Sequence, residues 1–440
     1  MTLSSLRTTT VDKMSGILVF LALLLVSCER EEFPPNASFF VISDTDSRTL
    51  IYKGVKAGEF ANAAEKADWK GVRKLIISGH VNNKDIGVIK RYLSEALNGD
   101  LREVDLQDAE IFEGQLINSP FTNKNLEHLT YPRKIKSTGN YVTTSSNAID
   151  GAYWVREVII PNEVEIIGAF IFESVSRRFW TTGSTQTVQV DLPYMSKEKY
   201  QLPNMVKEIG EFAYRYYPYE DLQLPESVEI IKRGCFTNTK LTSFTFPPKV
   251  TALPDECFLQ SYNLKTIVLP AGLTSIGYFA FAGTKIEELI LPDGVTQVGE
   301  GFLSAKRLKK IKWPKNLTKL GDRSMRQSSF ENLHIPEQVT SLGESCFYES
   351  STKRLWLHKN ISELGRGFIN GMDKLEEVHV AWTIPPENNQ LFNDVLISPL
   401  GQQINKSHDF DKVKLYVPRG TAHTYRNAQG WKRFKQIIEE

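Results

Sequence analysis

Four cysteines, seven histidines and several adjacent carboxylates are the side chains of this 440-residue sequence that could do chemistry. Pairs such as Glu287-Glu288 and Glu376-Glu377 have the type needed for general acid/base work, and Cys and His the type for nucleophilic or metal chemistry. The spacing supports none of these. There is no HExxH, GxSxG, GxxxxGK[ST] or CxxC pattern. Cys235, Cys257 and Cys346 each follow a recurring landmark by ten residues, where other units carry Ala213, Ala280 or Ser324, so they read as small residues buried in a turn. Cys235 and Cys257 fall in adjacent units, close enough for a disulfide in an oxidising compartment, whereas Cys346 lies four units further on. His334 and His379 share one strand position two units apart, roughly 10 Å, too far for one metal, and His358 lies between them at a corner. No catalytic residue, metal ligand or cofactor is expected, and the protein is not expected to be an enzyme.

The landmark is a proline after an apolar triplet: Pro203, Pro225, Pro247, Pro270, Pro292, Pro314 and Pro336, with His358 and Ala381 in the same phase and an earlier copy at Pro161. The steps from Pro203 onward are 22 or 23 residues. Three residues after it stand Val206, Val228, Val250, Leu273, Val295, Leu317, Val339 and Ile361. Six after it stand Ile209, Ile231, Leu253, Ile276, Val298, Leu320, Leu342 and Leu364, and eleven after it mostly an aromatic such as Phe236, Phe258, Phe281 or Phe347. The triplets, such as Leu289-Ile290-Leu291, read as short strands with two inward residues, ended by a Pro that cannot donate to a ladder. One such unit cannot bury its apolar face alone, so units must stack, with strands about 4.8 Å apart in a parallel sheet along one side.

The phrase L-x-x-I-x-L-P-x-x-V-x-x-I-G-x-x-A-F resembles the BspA-type leucine-rich repeat of surface proteins from host-associated Gram-negative bacteria. The resemblance implies a leucine-rich-repeat solenoid, α+β but mostly β, with a parallel sheet on one side and caps at both ends, and it implies adhesion to host proteins or to other bacteria. It covers residues 155–382. Residues 57–154 resemble divergent N-terminal repeats and a cap, in which Asp85 is expected to cap a helix carrying Ile86, Ile89, Leu93 and Leu97 and stopped by Asn98-Gly99. Residues 383–440 read as an insertion, to about 411, and a closing segment with Leu415-Tyr416-Val417-Pro418 and Trp431-Lys432-Arg433-Phe434. A second insertion spans about 173–200.

At the other end, Arg7 and Lys13 precede an apolar run from Ile17 to Val26, too short to cross a bilayer and fit for the core of a secretory signal. It closes on Leu25-Val26-Ser27-Cys28, which resembles the bacterial lipobox. Residues 1–27 are thus expected to be a lipoprotein signal peptide, Cys28 the lipidated first residue, and 28–56 a tether. Acyl chains on Cys28 would be the sole membrane attachment. Glu29-Arg30-Glu31-Glu32 looks like an export signal, which places the expected lipoprotein on the extracellular side of the outer membrane. The 53 basic and 52 acidic residues fall to 51 of each once residues 1–27 are removed, a balance that argues against a nucleic-acid binder.

With inward positions committed to the core, recognition must use outward ones. Two residues before the landmark stand Val268, Ile290, Lys312, His334, Trp356 and His379, a mixed apolar, aromatic and cationic strip that is the candidate ligand surface. Five before it stand Lys265, Glu287, Lys309, Glu331, Lys353 and Glu376, alternating in sign, as solvated partners on neighbouring strands. Between Ser304 and Arg326 nine basic residues face one acid, Asp322; Lys306, Arg307, Lys315, Lys319, Arg323 and Arg326 form a candidate anion patch. A tyrosine cluster from Tyr214 to Tyr219, with Trp180 nearby, could stack sugars or pack beneath the insertion. The expected protein is a monomer that binds a host or bacterial macromolecule through the outward face; glycan capture, or docking to another envelope protein, are the alternatives.

Overall fold

The computed structural model describes residues 39–43, 48–54, 56–92, 100–111, 126–133, 135, 157–169, 200–386, 395–397, 403–405 and 410–440. It is a parallel β-solenoid of about 13 turns with little helix. Each repeat contributes three sides. The triplet before the landmark makes an outward strand, such as Ser243–Thr245, Thr266–Val268, Glu288–Ile290, Lys310–Lys312 and Asn332–His334. A two-residue strand follows on the second side, such as Ala252–Leu253, Ser275–Ile276 and Gln297–Val298, paired parallel in register. The third side is a tight turn.

The inward positions are the apolar ones of the period. Val250, Leu273, Val295, Leu317 and Val339 are fully buried, as are Phe236, Phe258, Phe281 and Phe347. Phe236 and Phe258 stack with ring centroids 5.0 Å apart at 19°, and Phe281 continues the column. The turn side shows why the aromatics can line up. Glu256 and Gln260 adopt left-handed φ of 57° and 59°, which aims the N–H groups of Glu256, Phe258 and Gln260 along the solenoid axis. Each donates to the next turn, at Tyr278, Ala280 and Ala282, over 2.8 Å. Left-handed backbone is unfavourable for a side-chain-bearing residue, so the ladder of three bonds per coil must offset it. Fourteen residues after the landmark the turn holds a small buried hydroxyl, Thr239, Ser261, Thr284, Ser328 or Ser350, several bonded to one another. Cys235, Cys257 and Cys346 are free buried thiols, so the adjacent pair is unbridged.

The outward ladder is continuous in pieces. Ser243–Thr245 pairs with Thr266–Val268, Glu288–Ile290 with Lys310–Lys312, and a five-stranded sheet runs from Asn332–His334 through Arg354–Leu357, Glu377–Val380 and Lys414–Val417 to Gln436–Glu439. The last two strands come from the closing segment, with Tyr425, Trp431 and Phe434 buried beneath them. Within the 383–411 insertion a small antiparallel pair, Val395–Ile397 with Gln403–Asn405, is described. The 173–200 insertion lies outside the described residues, apart from Tyr200.

The N-terminal part differs from expectation in two respects. Residues 28–56 are not tether throughout: Phe39–Ser43 and Arg48–Gly54 form an antiparallel pair at the edge of a six-stranded sheet that continues in parallel to Glu157–Ile159. Leu50 and Tyr52 are buried there, and burial with nearby carboxylates pushes the Tyr52 phenol up to about 12. Asp85 is not the N-cap of its helix, Asn83–Tyr92. Asn82 takes that place, its Oδ1 accepting from the N–H groups of Lys84 and Asp85. Asp85 returns the bond by accepting from Asn82 N–H at 2.9 Å, a reciprocal capping box. Its buried carboxylate also accepts from Gly58 and Phe60 N–H at 2.7 and 3.0 Å, tying the start of the neighbouring helix, Phe60–Lys66, to its own. Leu93, Leu97, Asn98 and Gly99 lie outside the described residues, as do residues 1–38, including Cys28.

Candidate functional site

The candidate strip shares one outward phase but is paired in pieces: Ile290 lies opposite Lys312, His334, Trp356 and His379 form one run, and Val268 is on a separate strand pair. Val268 and Ile290 are 53% and 57% exposed, high for β-branched residues held on ordered strands. Lys312 follows, exposed and with no ion pair among the described residues. His334, Trp356 and His379 then lie directly opposite one another on consecutive strands. Their rings stack, with centroids 4.1 Å apart for His334–Trp356 and 4.6 Å for Trp356–His379, at 15° and 12°. Tyr416 extends the stack, 4.3 Å from His379 and nearly coplanar in orientation at 2°, and Ile438 stands next in register.

Centroid spacings this close to the strand spacing mean that the ring faces look along the solenoid axis and cover one another. The edges, not the faces, point to solvent. Trp356 is consequently half-buried by its two neighbours. His379 is held hardest: its Nδ1 lies 2.9 Å from Glu440 Oε1, its Nε2 3.6 Å from Glu377, and its side chain is only 13% exposed. His358 plays a different part, with Nε2 donating to Pro336 carbonyl at 2.9 Å while Nδ1 accepts from Asn360 N–H. It occupies the landmark position as a local brace.

Beside the file runs the alternating charge ladder. Lys309 meets Glu287 at 3.0 Å, Lys353 meets Glu331 at 3.1 Å, and Arg354 reaches Glu377 at 3.1 Å. These partners neutralise one another in solvent and leave the central file as the distinctive chemistry of the face.

The candidate anion residues are dispersed by the same geometry. Lys315 pairs with Asp293 at 2.8 Å, which holds the Asp293 carboxyl below its usual range and raises the Lys315 ammonium. Arg323 pairs with Glu300, and Arg326 reaches Glu349 at 3.4 Å while lying over the Tyr348 ring. Lys306, Arg307 and Lys319 have no such partner among the described residues, but Lys319 lies on a second-side strand while Lys306 and Arg307 follow the turn. The coil's charge is spread around its perimeter. Among the described residues no group of three or more His, Cys, Asp or Glu is placed to hold a metal, and no helix is long and apolar enough to cross a membrane.

Sequence reasoning missed Tyr416 because the insertion interrupts the period. The signal was present: Leu415-Tyr416-Val417-Pro418 repeats the strand-and-proline phrase with Tyr416 at the outward position.

Stacked coils of this kind define a leucine-rich-repeat solenoid. Residues 194–306 and 300–397 match, in six copies, the family model described as the BspA type leucine rich repeat region, so this part of the chain is built of BspA-type repeats. Among solved structures it is similar to a leucine rich cell surface protein from Faecalibacterium prausnitzii, at 14% identity over 92% of this chain and 94% of that one, with a TM-score of 0.36. A leucine-rich-repeat protein from Bacteroides ovatus is 13% identical over 80% and 94%, with a TM-score of 0.38. No curated protein matches the sequence.

Proposed function

We propose that this is a cell-surface binding protein, tethered by lipid on Cys28 at the outer membrane, that holds a host or bacterial protein against the outward file from Val268 to His379. The observation that carries the reading is the exposed Val268 and Ile290 pair in line with the locked ring stack. Solubility would be served by polar residues here, and rigid apolar and aromatic groups lose little entropy on binding. The coils from Pro203 to Ala381 make a preordered face roughly 40 Å long, sufficient for an interface of about 800 Å² per partner. A protein partner fits better than a glycan, because the aromatic faces on which a sugar would stack are occupied by neighbouring rings. No catalytic step is assigned.

The test uses soluble protein beginning at Glu29, presented to purified host matrix proteins and to a glycan array. The double substitution Val268→Glu with Ile290→Glu alters only exposed side chains. It is expected to weaken protein capture at least tenfold with an unchanged melting profile. Capture of no matrix protein, or equal capture by the variant, would remove the outward file from consideration; binding confined to the glycan array would favour the saccharide alternative. Palmitate labelling of cells should disappear on Cys28→Ala, and protease shaving of intact cells should release the protein if it faces outward.

A further inference from the structure

The coils that begin at Pro203 and Pro225 are bonded on two sides and open on the third. On the second side Glu229 and Lys232 N–H donate to Lys207 and Ile209 carbonyls at 2.8 and 2.9 Å. On the turn side Phe212, Tyr214 and Tyr216 N–H donate to Arg233, Cys235 and Thr237 carbonyls at 2.9–3.0 Å. On the outward side, the main-chain groups of Gln201, Leu202, Leu222, Gln223 and Leu224 have no hydrogen-bond partner among the described residues. A cavity of about 360 Å³ lies at these segments, its lining including Gln201, Leu202, Asn204, Tyr217, Asp221 and Gln223.

Tyr217 lines the cavity. It stands fourteen residues after its landmark, where five other coils carry Thr239, Ser261, Thr284, Ser328 and Ser350. Its ring is buried and packs edge-on against Tyr200 and Tyr214 at 5.1 and 5.8 Å, and its hydroxyl donates to Asp221 carbonyl at 2.9 Å. A phenol thus takes the place of a small hydroxyl beside the cavity.

We infer that this gap is an acceptor for an extended peptide segment of a partner protein without acidic side chains, which enters between residues 201–202 and 222–224 and supplies the missing ladder bonds. Main-chain donors and acceptors left unpaired on two segments that flank a cleft are the complement of a strand, whose N–H and C=O groups alternate toward both neighbours. The cavity falls in the range of ligand clefts. Its lining has one charged residue, Asp221, and no lysine or arginine, which disfavours an acidic segment, while Leu202 and Leu222 add apolar side chains. Gln201, Asn204 and Gln223 offer amides to the rim.

The protein from Glu29 onward is titrated with fluorescein-labelled acetyl-Thr-Val-Thr-Val-Thr-amide, with two forms N-methylated on alternate amides along one edge or the other, and with cellohexaose as competitor. Saturable binding of the parent peptide is expected, at least tenfold weaker for each methylated form, because an inserted strand uses both edges. Gln223→Trp, which fills the cleft, should also weaken it at least tenfold. Tyr217→Thr, which removes a ring from the lining, should do the same. The Val268→Glu/Ile290→Glu protein should bind the peptide normally, which separates this site from the outward file. The inference is overturned if the peptide does not bind at millimolar concentration, if methylation is without effect, if the outward-file variant abolishes binding, or if cellohexaose binds where the peptide does not.

Discussion

Trp356 lies face to face with His379 across a parallel strand pair, ring centroids 4.6 Å apart at 12°, and it is covered on its other face by His334. Two stacked contacts of this kind contribute about 0.5–1.5 kcal/mol each beyond burial. Trp356→Val keeps a strand-forming residue, of the type at position 268, and removes both contacts. Its expected cost is about 1–3 kcal/mol. Because each coil touches only its neighbours, the loss should be local. Hydrogen exchange should show reduced protection in Arg354–Leu357 and Glu377–Val380, with Ser243–Thr245 unchanged. Uniform loss along the whole solenoid would contradict the nearest-neighbour account.

Much of this arrangement is legible in the residues alone. The inward identity of Val250, Leu253 and Phe258, and the shared outward phase of His334, Trp356 and His379, follow from counting to the landmark. What the count omits is distance along the axis. Whether residues in one file stack, as His334 and Trp356 do, or merely follow one another across an interrupted ladder, as Val268 and Ile290 do, depends on local strand pairing. Tyr217 shows a second limit. Its position in the period marks it as an exception to a small-residue site, but the cleft it lines is a property of two coils together. The strands at Phe39–Ser43 and Arg48–Gly54 were obscured by proximity to Cys28: Leu50-Ile51-Tyr52 carries a strand pattern, while the position in the chain suggested a tether.

The three turn cysteines bear on alkaline stability. Burial pushes the thiols of Cys235, Cys257 and Cys346 well above the ordinary value of 9.0. Below that value both folded and unfolded chains keep the proton, and the contribution is fully present. As pH rises above it, the unfolded chain ionises and the folded one does not, so stability falls by about 1.4 kcal/mol per pH unit for each thiol. The urea midpoint should drop between pH 8 and pH 10. It should drop less in a variant with all three changed to Ala, the residue found naturally at Ala213 and Ala280. Ellman's reagent at pH 8 should label none of the three until the protein is unfolded.

Asp85 concentrates three main-chain bonds on one buried carboxylate, from Gly58, Phe60 and Asn82. Hydrogen bonds to an ionised acceptor are each worth about 1.5–3 kcal/mol, and stranding buried donors adds a penalty. Asp85→Ala should therefore cost about 3 kcal/mol or more. Exchange protection should be lost across Phe60–Lys66 and Asn83–Tyr92 together. Retained protection in either helix would show that the carboxylate is not what joins them.

The glycine seven residues after the landmark separates close stacking from loose stacking. A Cβ on Gly365 would stand 2.2–2.4 Å from the backbone of Gly343 and Glu344, atoms that cannot move aside without shifting a whole coil. A Cβ on Gly321 would meet nothing nearer than 3.5 Å. Neither glycine has a left-handed φ, so steric room alone distinguishes them. Gly365→Ala should destabilise by about 2–3 kcal/mol through overpacking. Gly321→Ala should be neutral or stabilise by about 0.5 kcal/mol, because alanine has less freedom to lose on folding. Urea denaturation of the two variants beside the parent checks both values, and equal effects would mean that coil spacing is as loose at 365 as at 321.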